Sequence, residues 1–214
     1  MAAEGLTLEQ ADGSRLPATL AEVNDAFAKY GARVWALDLS DVPDDQRRLL
    51  GEPMLSAAET STLREHFLLP RERLLDLITG AGREPQVARG GELNTLDSTH
   101  GVEYPELYLV APGADYSRFD RLHVNVATDG TGVDETLQLL SGSGVRIVQS
   151  LPQVGEITLF LDCPSPDRGW VVSYPGFHPH IASFTGASEG SKVLMQIIGP
   201  PIWNMDYVDA ESSA

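Results

Sequence analysis

Residues 156–199 read EITLFLDCPSPDRGWVVSYPGFHPHIASFTGASEGSKVLMQIIG, and this stretch decides the fold. It contains four short apolar segments separated by Gly, Pro, Asp and Ser, the residues that favour turns. Four similar segments precede it, beginning at Glu106: ELYLV, RLHVNVA, ETLQLL and GVRIVQ. Eight short strands with few helical stretches between them favour a double-sheet jelly roll over a parallel sheet with crossover helices.

The first hundred residues carry helix signals instead. Residues 19–30, TLAEVNDAFAKY, place apolar side chains at helical spacing, and the Gly31 that follows is typical of a helix C-terminus. Ser56 and Glu59 match a capping box, in which each side chain satisfies a free amide at the start of a helix. Pro70 suits the first turn of a further helix, RERLLDLI.

Length and composition favour a single domain. The chain has 214 residues, of which 42% are hydrophobic, enough to bury one core of ordinary size. We therefore predict a mainly β fold with helices (α+β), built as a double-stranded β-helix, or jelly roll, with an N-terminal helical extension. Its parts are a helical and mixed extension over residues 1–105, a jelly-roll core over residues 106–203 and a flexible acidic tail over residues 204–214.

The charge of the chain excludes several partners. The net charge is −16, from 31 acidic and 15 basic residues, so the average surface repels phosphate backbones and anionic lipids. Nucleic acid and membranes are therefore not expected partners. A single cysteine, Cys163, rules out an internal disulfide, and the N-terminus lacks the pattern of a signal peptide. We expect a cytoplasmic protein that is a monomer or a homodimer, with Cys163 as a structural thiol.

His123-Val-Asn125 and the later His180 suggest a metal site. A histidine, a spacer, a carboxylate and a distant second histidine supply three ligands to one face of Fe(II) and leave the other face open for oxygen. Here an asparagine stands in the place of the carboxylate. Its amide oxygen is a weaker donor that contributes no charge, so we expect a lower affinity for iron.

The order of these segments resembles the prolyl-hydroxylase-like group of Fe(II)/2-oxoglutarate oxygenases. Residues 106–125, ELYLVAPGADYSRFDRLHVN, are similar to the strand, Pro-Gly turn and loop that lead into His-x-Asp in that family. Residues 151–162, LPQVGEITLFLD, and residues 178–201, HPHIASFTGASEGSKVLMQIIGPP, resemble the segments before and after the distal histidine. The resemblance covers roughly residues 104–203.

The resemblance implies a reaction and roles for particular residues. His123, His180 and the altered position Asn125 correspond to the iron ligands, and Lys192 to the cation that pairs with the far carboxylate of 2-oxoglutarate. An enzyme of this kind uses Fe(II), 2-oxoglutarate and oxygen to oxidise, most often to hydroxylate, a small molecule. The chain departs from the family at Val110, where many relatives have a tyrosine, and at Asn125.

Three alternatives remain open at this level. Carboxylate-free relatives are halogenases, but they usually carry Gly or Ala at the vacant position, so we rank halogenation below hydroxylation. His178 and His180 flank Pro179 and face one side if the strand is regular, which permits a three-histidine iron dioxygenase with His123. A non-catalytic jelly-roll module that binds a small ligand is the third alternative. Further side chains that we place at the barrel mouth are Tyr108, Arg121 and Trp170.

Overall fold

A computed structural model describes residues 5–9, 12–86, 94–95, 98–99, 102–103, 105–200 and 202–208. The helices are α1 (Leu20–Phe27), α2 (Asp44–Gly51), α3 (Ala57–Phe67) and α4 (Arg71–Gly80), with short 3-10 turns at Ala28–Tyr30 and Ser117–Asp120. The strands are β1 (Leu6–Glu9), β2 (Arg15–Pro17), β3 (Arg33–Asp38), β4 (Asn94–Thr95), β5 (Ser98–Thr99), β6 (Val102–Glu103), β7 (Glu106–Leu109), β8 (His123–Val126), β9 (Asp134–Ser141), β10 (Val145–Leu151), β11 (Gly155–Leu161), β12 (Arg168–Pro175), β13 (His180–Ser183), β14 (Lys192–Gly199) and β15 (Asn204–Tyr207).

The helix boundaries follow local signals in the sequence. The capping box of Ser56 and Glu59 is present at the start of α3, and Gly31 takes a left-handed conformation (φ 69°) at the end of the 3-10 turn that follows α1. Helix α2 is absent from the sequence analysis; two acidic residues in its first turn, Asp44 and Asp45, lie at the positive end of the helix dipole. None of the helices in the described ranges combines the length and apolarity needed to cross a bilayer.

Two antiparallel sheets form the jelly roll. The first sheet has the order β15-β8-β13-β10-β11-β1-β2 and the second β3-β12-β9-β14, with β4 and β7 both paired to the far edge of β14. Three antiparallel strand pairs enclose one another along the chain: β10 pairs with β13, β9 with β14, and β8 with β15. This winding confirms the expected jelly roll, and β7–β14 are the eight strands read from the sequence.

The predicted division of the chain needs two corrections. Strands β1, β2 and β3 lie before residue 106, yet they extend the two sheets of the barrel. Residues 204–207, which we assigned to a flexible tail, form β15 and pair with β8. Strand β1 and residues 204–207 are too short to show a period in the sequence, and their pairing partners, β11 and β8, lie far away along the chain.

The main core lies between the two sheets, and a second apolar layer covers the outside of the second sheet. Leu137 and Leu139 of β9 point into the main core, whereas Leu140 packs beneath α2 and α3. In the same way, Val193 of β14 faces inward and Leu194 faces the helices. The second sheet is therefore buried on both faces, and alternation along each strand decides which side chains reach the interior of the barrel.

Candidate metal centre

The structure brings His123 and His180 together inside the barrel. The two residues lie directly opposite each other on the paired strands β8 and β13. Their ring centroids are 4.3 Å apart, and the residues are 2% and 0% exposed. The two imidazoles, 57 positions apart in sequence (180 − 123), therefore share one buried site.

Backbone carbonyls fix how the two rings are protonated. Nδ1 of His123 lies 2.7 Å from the carbonyl oxygen of Arg121, and Nδ1 of His180 lies 2.8 Å from that of His178. A carbonyl oxygen only accepts hydrogen bonds, so each Nδ1 carries the proton and donates it. Nε2 of each ring is thereby left for the interior, which is the arrangement typical of histidines that bind metals.

Glu135 supplies the carboxylate that Asn125 lacks. It projects from β9, on the opposite sheet, and its Oε1 accepts from Nδ2 of Asn125 at 2.5 Å. The Tyr174 hydroxyl donates to Oε2 at 2.9 Å, and Nε2 of His180 lies 3.2 Å from Oε1. Glu135 is not among the site residues predicted from the sequence. The available signal was an acidic pair, Asp134 and Glu135, at the start of an otherwise apolar strand.

The charges of the buried site are coupled. Burial alone raises the pKa of Glu135, but the neighbouring His180, His123 and the Asn125 amide together lower it to about 2. Burial opposes a charge on His180, yet the Glu135 carboxylate raises the pKa of that imidazole overall. Burial and the adjacent His180 lower the pKa of His123 to about 4. The site thus holds an ion pair between Glu135 and His180 beside a neutral His123.

The donor atoms suit a divalent transition metal. Oδ1 of Asn125 is buried without a hydrogen-bond partner, and the buried Nε2 of His180 has Oε1 of Glu135 at 3.2 Å. His123, Asn125 and Glu135 line a cavity of about 10 Å³, which has room for about one water-sized particle. Imidazole nitrogens and carboxylate oxygens are common ligands of iron and of other first-row transition metals.

The described side chains do not yet enclose an ion. As they stand, no three His, Cys, Asp or Glu side chains in the described ranges are arranged to hold a metal. Asn125 donates a hydrogen bond to one oxygen of Glu135 and Tyr174 to the other. Coordination by these groups would require His180 to lose its second proton and the side chains to move closer to a common point.

Lys192 does not reach this site, contrary to the sequence analysis. Its side chain points to the outer face of the second sheet, where Nζ donates to the carbonyl oxygens of Leu50 at 3.0 Å, Glu52 at 2.7 Å and Gly190 at 2.9 Å. Two of these carbonyls lie at the C-terminal end of α2, where a cation is favourable. Burial lowers the pKa of Lys192 to about 8. The residue joins a helix to the sheet and is not placed to bind a cosubstrate.

Substituting Lys192 tests this structural role. We expect Lys192→Met to lower the free energy of unfolding by about 2–3 kcal/mol, because three acceptors lose a buried donor. Metal affinity should stay within about twofold of the wild type, since the side chain lies on the opposite face of the sheet from the histidines. Urea denaturation and metal titration measure the two effects, with the exposed Lys29→Met as the matched control. A large loss of metal or 2-oxoglutarate binding without loss of stability would restore the cosubstrate role.

The remaining predicted site residues are dispersed. Tyr108 lines the cavity, in contact with Phe119 and Phe184. The other three lie outside the cavity lining. Nε1 of Trp170 donates to the carbonyl oxygen of Asp162 at 2.8 Å, and the Arg121 guanidinium lies 4.0 Å from the centre of the Tyr207 ring. Nδ1 of His178 lies 3.2 Å from the carbonyl oxygen of Tyr30. His178 follows a turn and does not join the two inner histidines, so the three-histidine arrangement is not formed.

Cys163 is no nucleophile in this structure. Burial raises the pKa of its thiol to about 12, which leaves almost no thiolate at neutral pH. This agrees with the structural role expected for it.

Comparison with known proteins finds a solved structure of similar fold. Acireductone dioxygenase from Bacillus anthracis, with a cadmium ion in its active centre, matches over 99% of this chain and 96% of its own, with a TM-score of 0.54 and 15% sequence identity. No protein-family model matches the sequence, and no curated protein matches it. At this level of identity the similarity shows a shared fold, a mainly β jelly roll with helices.

Proposed function

We propose that this protein is a metal-dependent dioxygenase, an oxidoreductase that acts on a small molecule with oxygen. One observation supports the proposal above all. Two buried imidazoles, each with Nε2 towards the interior, lie next to the Glu135 carboxylate of the opposite sheet. His123, His180 and Glu135 would hold the metal, and Asn125 adjoins them. The solved structure of similar fold, named a dioxygenase and holding a cadmium ion in its active centre, supports the same class.

Each group of the site has a defined part in this function. A bound redox-active divalent ion, Fe(II) in our proposal, would supply oxygen binding and electron transfer. The carbonyl bonds to Nδ1 hold both imidazoles in the coordinating form and orientation. Tyr174 orients Glu135 through its hydroxyl. The apolar side chains around the cavity exclude water from the reaction: Tyr108, Phe119, Ala182, Phe184, Met195, Ile197 and Met205.

The site does not favour 2-oxoglutarate as cosubstrate. Recognition of its far carboxylate needs a fixed cation, and the described residues that line the cavity include neither Lys nor Arg. Lys192, the predicted anchor, lies on the other face of the sheet. Halogenation is not favoured either, because Asn125 fills the position that chloride needs and Glu135 restores a carboxylate. We therefore propose dioxygenation without 2-oxoglutarate.

Anaerobic titration with Fe(II), with and without 2-oxoglutarate, tests the proposal. We expect Fe(II) to bind in a 1:1 ratio and to raise the unfolding temperature, because a ligand of the folded state stabilises it. Adding 2-oxoglutarate should produce no visible charge-transfer band. Such a band would favour the 2-oxoglutarate scheme instead. If Fe(II) neither binds nor changes the unfolding temperature, the proposal fails and a non-catalytic binding module is favoured.

A further inference from the structure

The cavity of the candidate metal centre is closed. Its volume is about 10 Å³, and each described residue that lines it is at most 9% exposed. A dioxygenase has to admit a metal ion and a small molecule, so part of this wall must move. Of the ten lining residues, eight lie in strands, where movement breaks backbone pairing, and the exceptions are Phe119 and Phe184. Phe184 directly follows β13, which leaves Phe119 as the lining residue least tied to a sheet.

Phe119 belongs to residues 111–121, which connect β7 to β8 and which we call the cap. Within the described part of the chain, the backbone hydrogen bonds of the cap are local: the amide of Ala114 donates to the carbonyl of Ala111 at 3.1 Å, and that of Phe119 to the carbonyl of Tyr116 at 2.9 Å. Residues 112–115 and 117 are exposed. A segment without backbone bonds to the sheets opens at a lower cost in free energy than a strand does.

Side chains hold the cap against the barrel. The Asp120 carboxylate accepts a hydrogen bond on each oxygen, one from the Ser183 hydroxyl at the end of β13 and one from the Thr185 hydroxyl. Further in, the Phe119 ring packs against Tyr108 and Phe184, with ring centroids 5.5 Å and 5.8 Å apart. Thr185 is exposed, so water can replace its bond to Asp120 when the cap moves. The carboxylate is thus a latch at the surface, and the aromatic ring closes the cavity behind it.

We propose that the cap is the gate of the metal centre, an inference that rests on the function proposed above. Release of Asp120 from Ser183 and Thr185 lets the cap swing away, and Phe119 then leaves the wall that it shares with His123. The latch bonds form in the closed gate whether or not a metal ion is bound. They therefore slow entry and release by the same factor and leave the affinity unchanged, because a contact common to both states shifts no binding equilibrium.

Asp120→Ala tests the latch, and Asp115→Ala is the matched control. Asp115 is a carboxylate of the same segment, but its Oδ1 accepts from the nearby amide of Ser117 at 2.9 Å. We expect Asp120→Ala to speed both the uptake of Co(II) and its release to excess EDTA by about tenfold, with the dissociation constant within about twofold of the wild type. Asp115→Ala should behave as the wild type does. Stopped-flow absorption measures the rates.

Two results would overturn the gate. Unchanged rates in Asp120→Ala mean that the latch does not control access. A faster release with no change in uptake means that Asp120 only supports the shape of the site. If Asp120→Ala does not fold, Thr185→Val serves instead: it removes one of the two bonds at an exposed position and should speed both rates by about threefold.

A second measurement needs no metal. Ala182 lines the cavity and is 5% exposed, so an Ala182→Cys thiol reacts with methyl methanethiosulfonate when the gate opens. We expect this labelling to be about tenfold faster when Asp120→Ala is added than when Asp115→Ala is added, and proteins that keep Ala182 give the background from Cys163. If the wild type binds no Co(II), the proposed function fails, and the labelling still decides whether the cap opens. Equal labelling in a protein that binds Co(II) overturns the gate alone.

Discussion

Replacing Arg83 with methionine is expected to lower the free energy of unfolding by about 3–5 kcal/mol, since it leaves a buried carboxylate without its cation. The guanidinium donates from Nε to Oδ1 of Asp134 at 2.9 Å and from Nη2 to Oγ of Ser173 at 2.9 Å. It also donates to the carbonyl oxygen of Gly31. The side chains of Arg83 and Asp134 are 7% and 1% exposed, so water cannot replace the lost bonds.

The same substitution is expected to disturb the metal centre. Asp134 and Ser173 face outward on β9 and β12, and each immediately precedes a residue of the site, Glu135 or Tyr174. Arg83 thus joins the two strands at the point from which the carboxylate and its tyrosine partner project inward. We expect metal affinity to fall by about 10-fold to 100-fold in the Arg83→Met protein, the effect usual for outer partners of metal ligands.

Two further variants control this prediction. Arg33→Met removes an exposed arginine that donates to the carbonyl oxygen of Gly80, and it should cost less than about 1 kcal/mol. The double variant Arg83→Met with Asp134→Leu removes both buried charges and should recover most of the lost stability. Chemical denaturation measures all three. An Arg83→Met protein as stable as Arg33→Met would mean that the buried ion pair is not formed.

Glu135→Gln is the second substitution with a large expected effect, a loss of metal affinity of more than about a hundredfold. The amide keeps nearly the same shape but lacks the negative charge that balances a divalent ion. Loss of a residue that only hydrogen-bonds a metal ligand already lowers metal affinity by about 10-fold to 100-fold, so loss of a direct ligand should lower it further. Calorimetric titration with Zn(II) measures the change. Glu156→Gln, on the exposed start of β11, is the matched control and should bind as the wild type does.

The effect of Glu135→Gln on the metal-free protein separates binding from folding. The new side chain can still accept from the Tyr174 hydroxyl, so the fold is expected to persist. The unfolding temperature of the metal-free protein should fall by less than that of Arg83→Met, because His180 can lose its proton and a neutral imidazole needs no counter-ion. A protein that binds Zn(II) with unchanged affinity would remove Glu135 from the proposed ligand set.

The sequence contained enough information to predict the barrel and the pair of histidines. Strands β7–β14 show in the sequence as apolar segments between turn residues, and their order alone suggests a jelly roll. His123 and His180 stand out because few histidines occur in the chain, five in all. The pairing of β8 with β13 and the carbonyl bonds to Nδ1 are tertiary features, so only the structure shows that Nε2 of each ring faces inward.

Lys192 and Glu135 show where prediction from the sequence fails. Strand β14 is buried on both faces, so apolar residues occur on both of its sides and no alternation marks the inner one; Lys192 was placed in the barrel although it faces α2. In β9, Leu137 and Leu139 do alternate with polar residues, and this pattern puts Glu135 on the inner side, but it passed unnoticed. The His-x-carboxylate motif also gives no indication of a carboxylate that the opposite sheet contributes.

The most direct test of the metal centre is a Co(II) titration of the wild type, His123→Ala and His180→Ala, followed by visible absorption. We predict that the wild type takes up one equivalent with the absorption bands of a protein-bound Co(II) ion, and that each single variant loses those bands while remaining folded. If the wild type shows no saturable absorption, or if both variants bind Co(II) as the wild type does, the two histidines do not hold a metal and the proposed dioxygenase is contradicted.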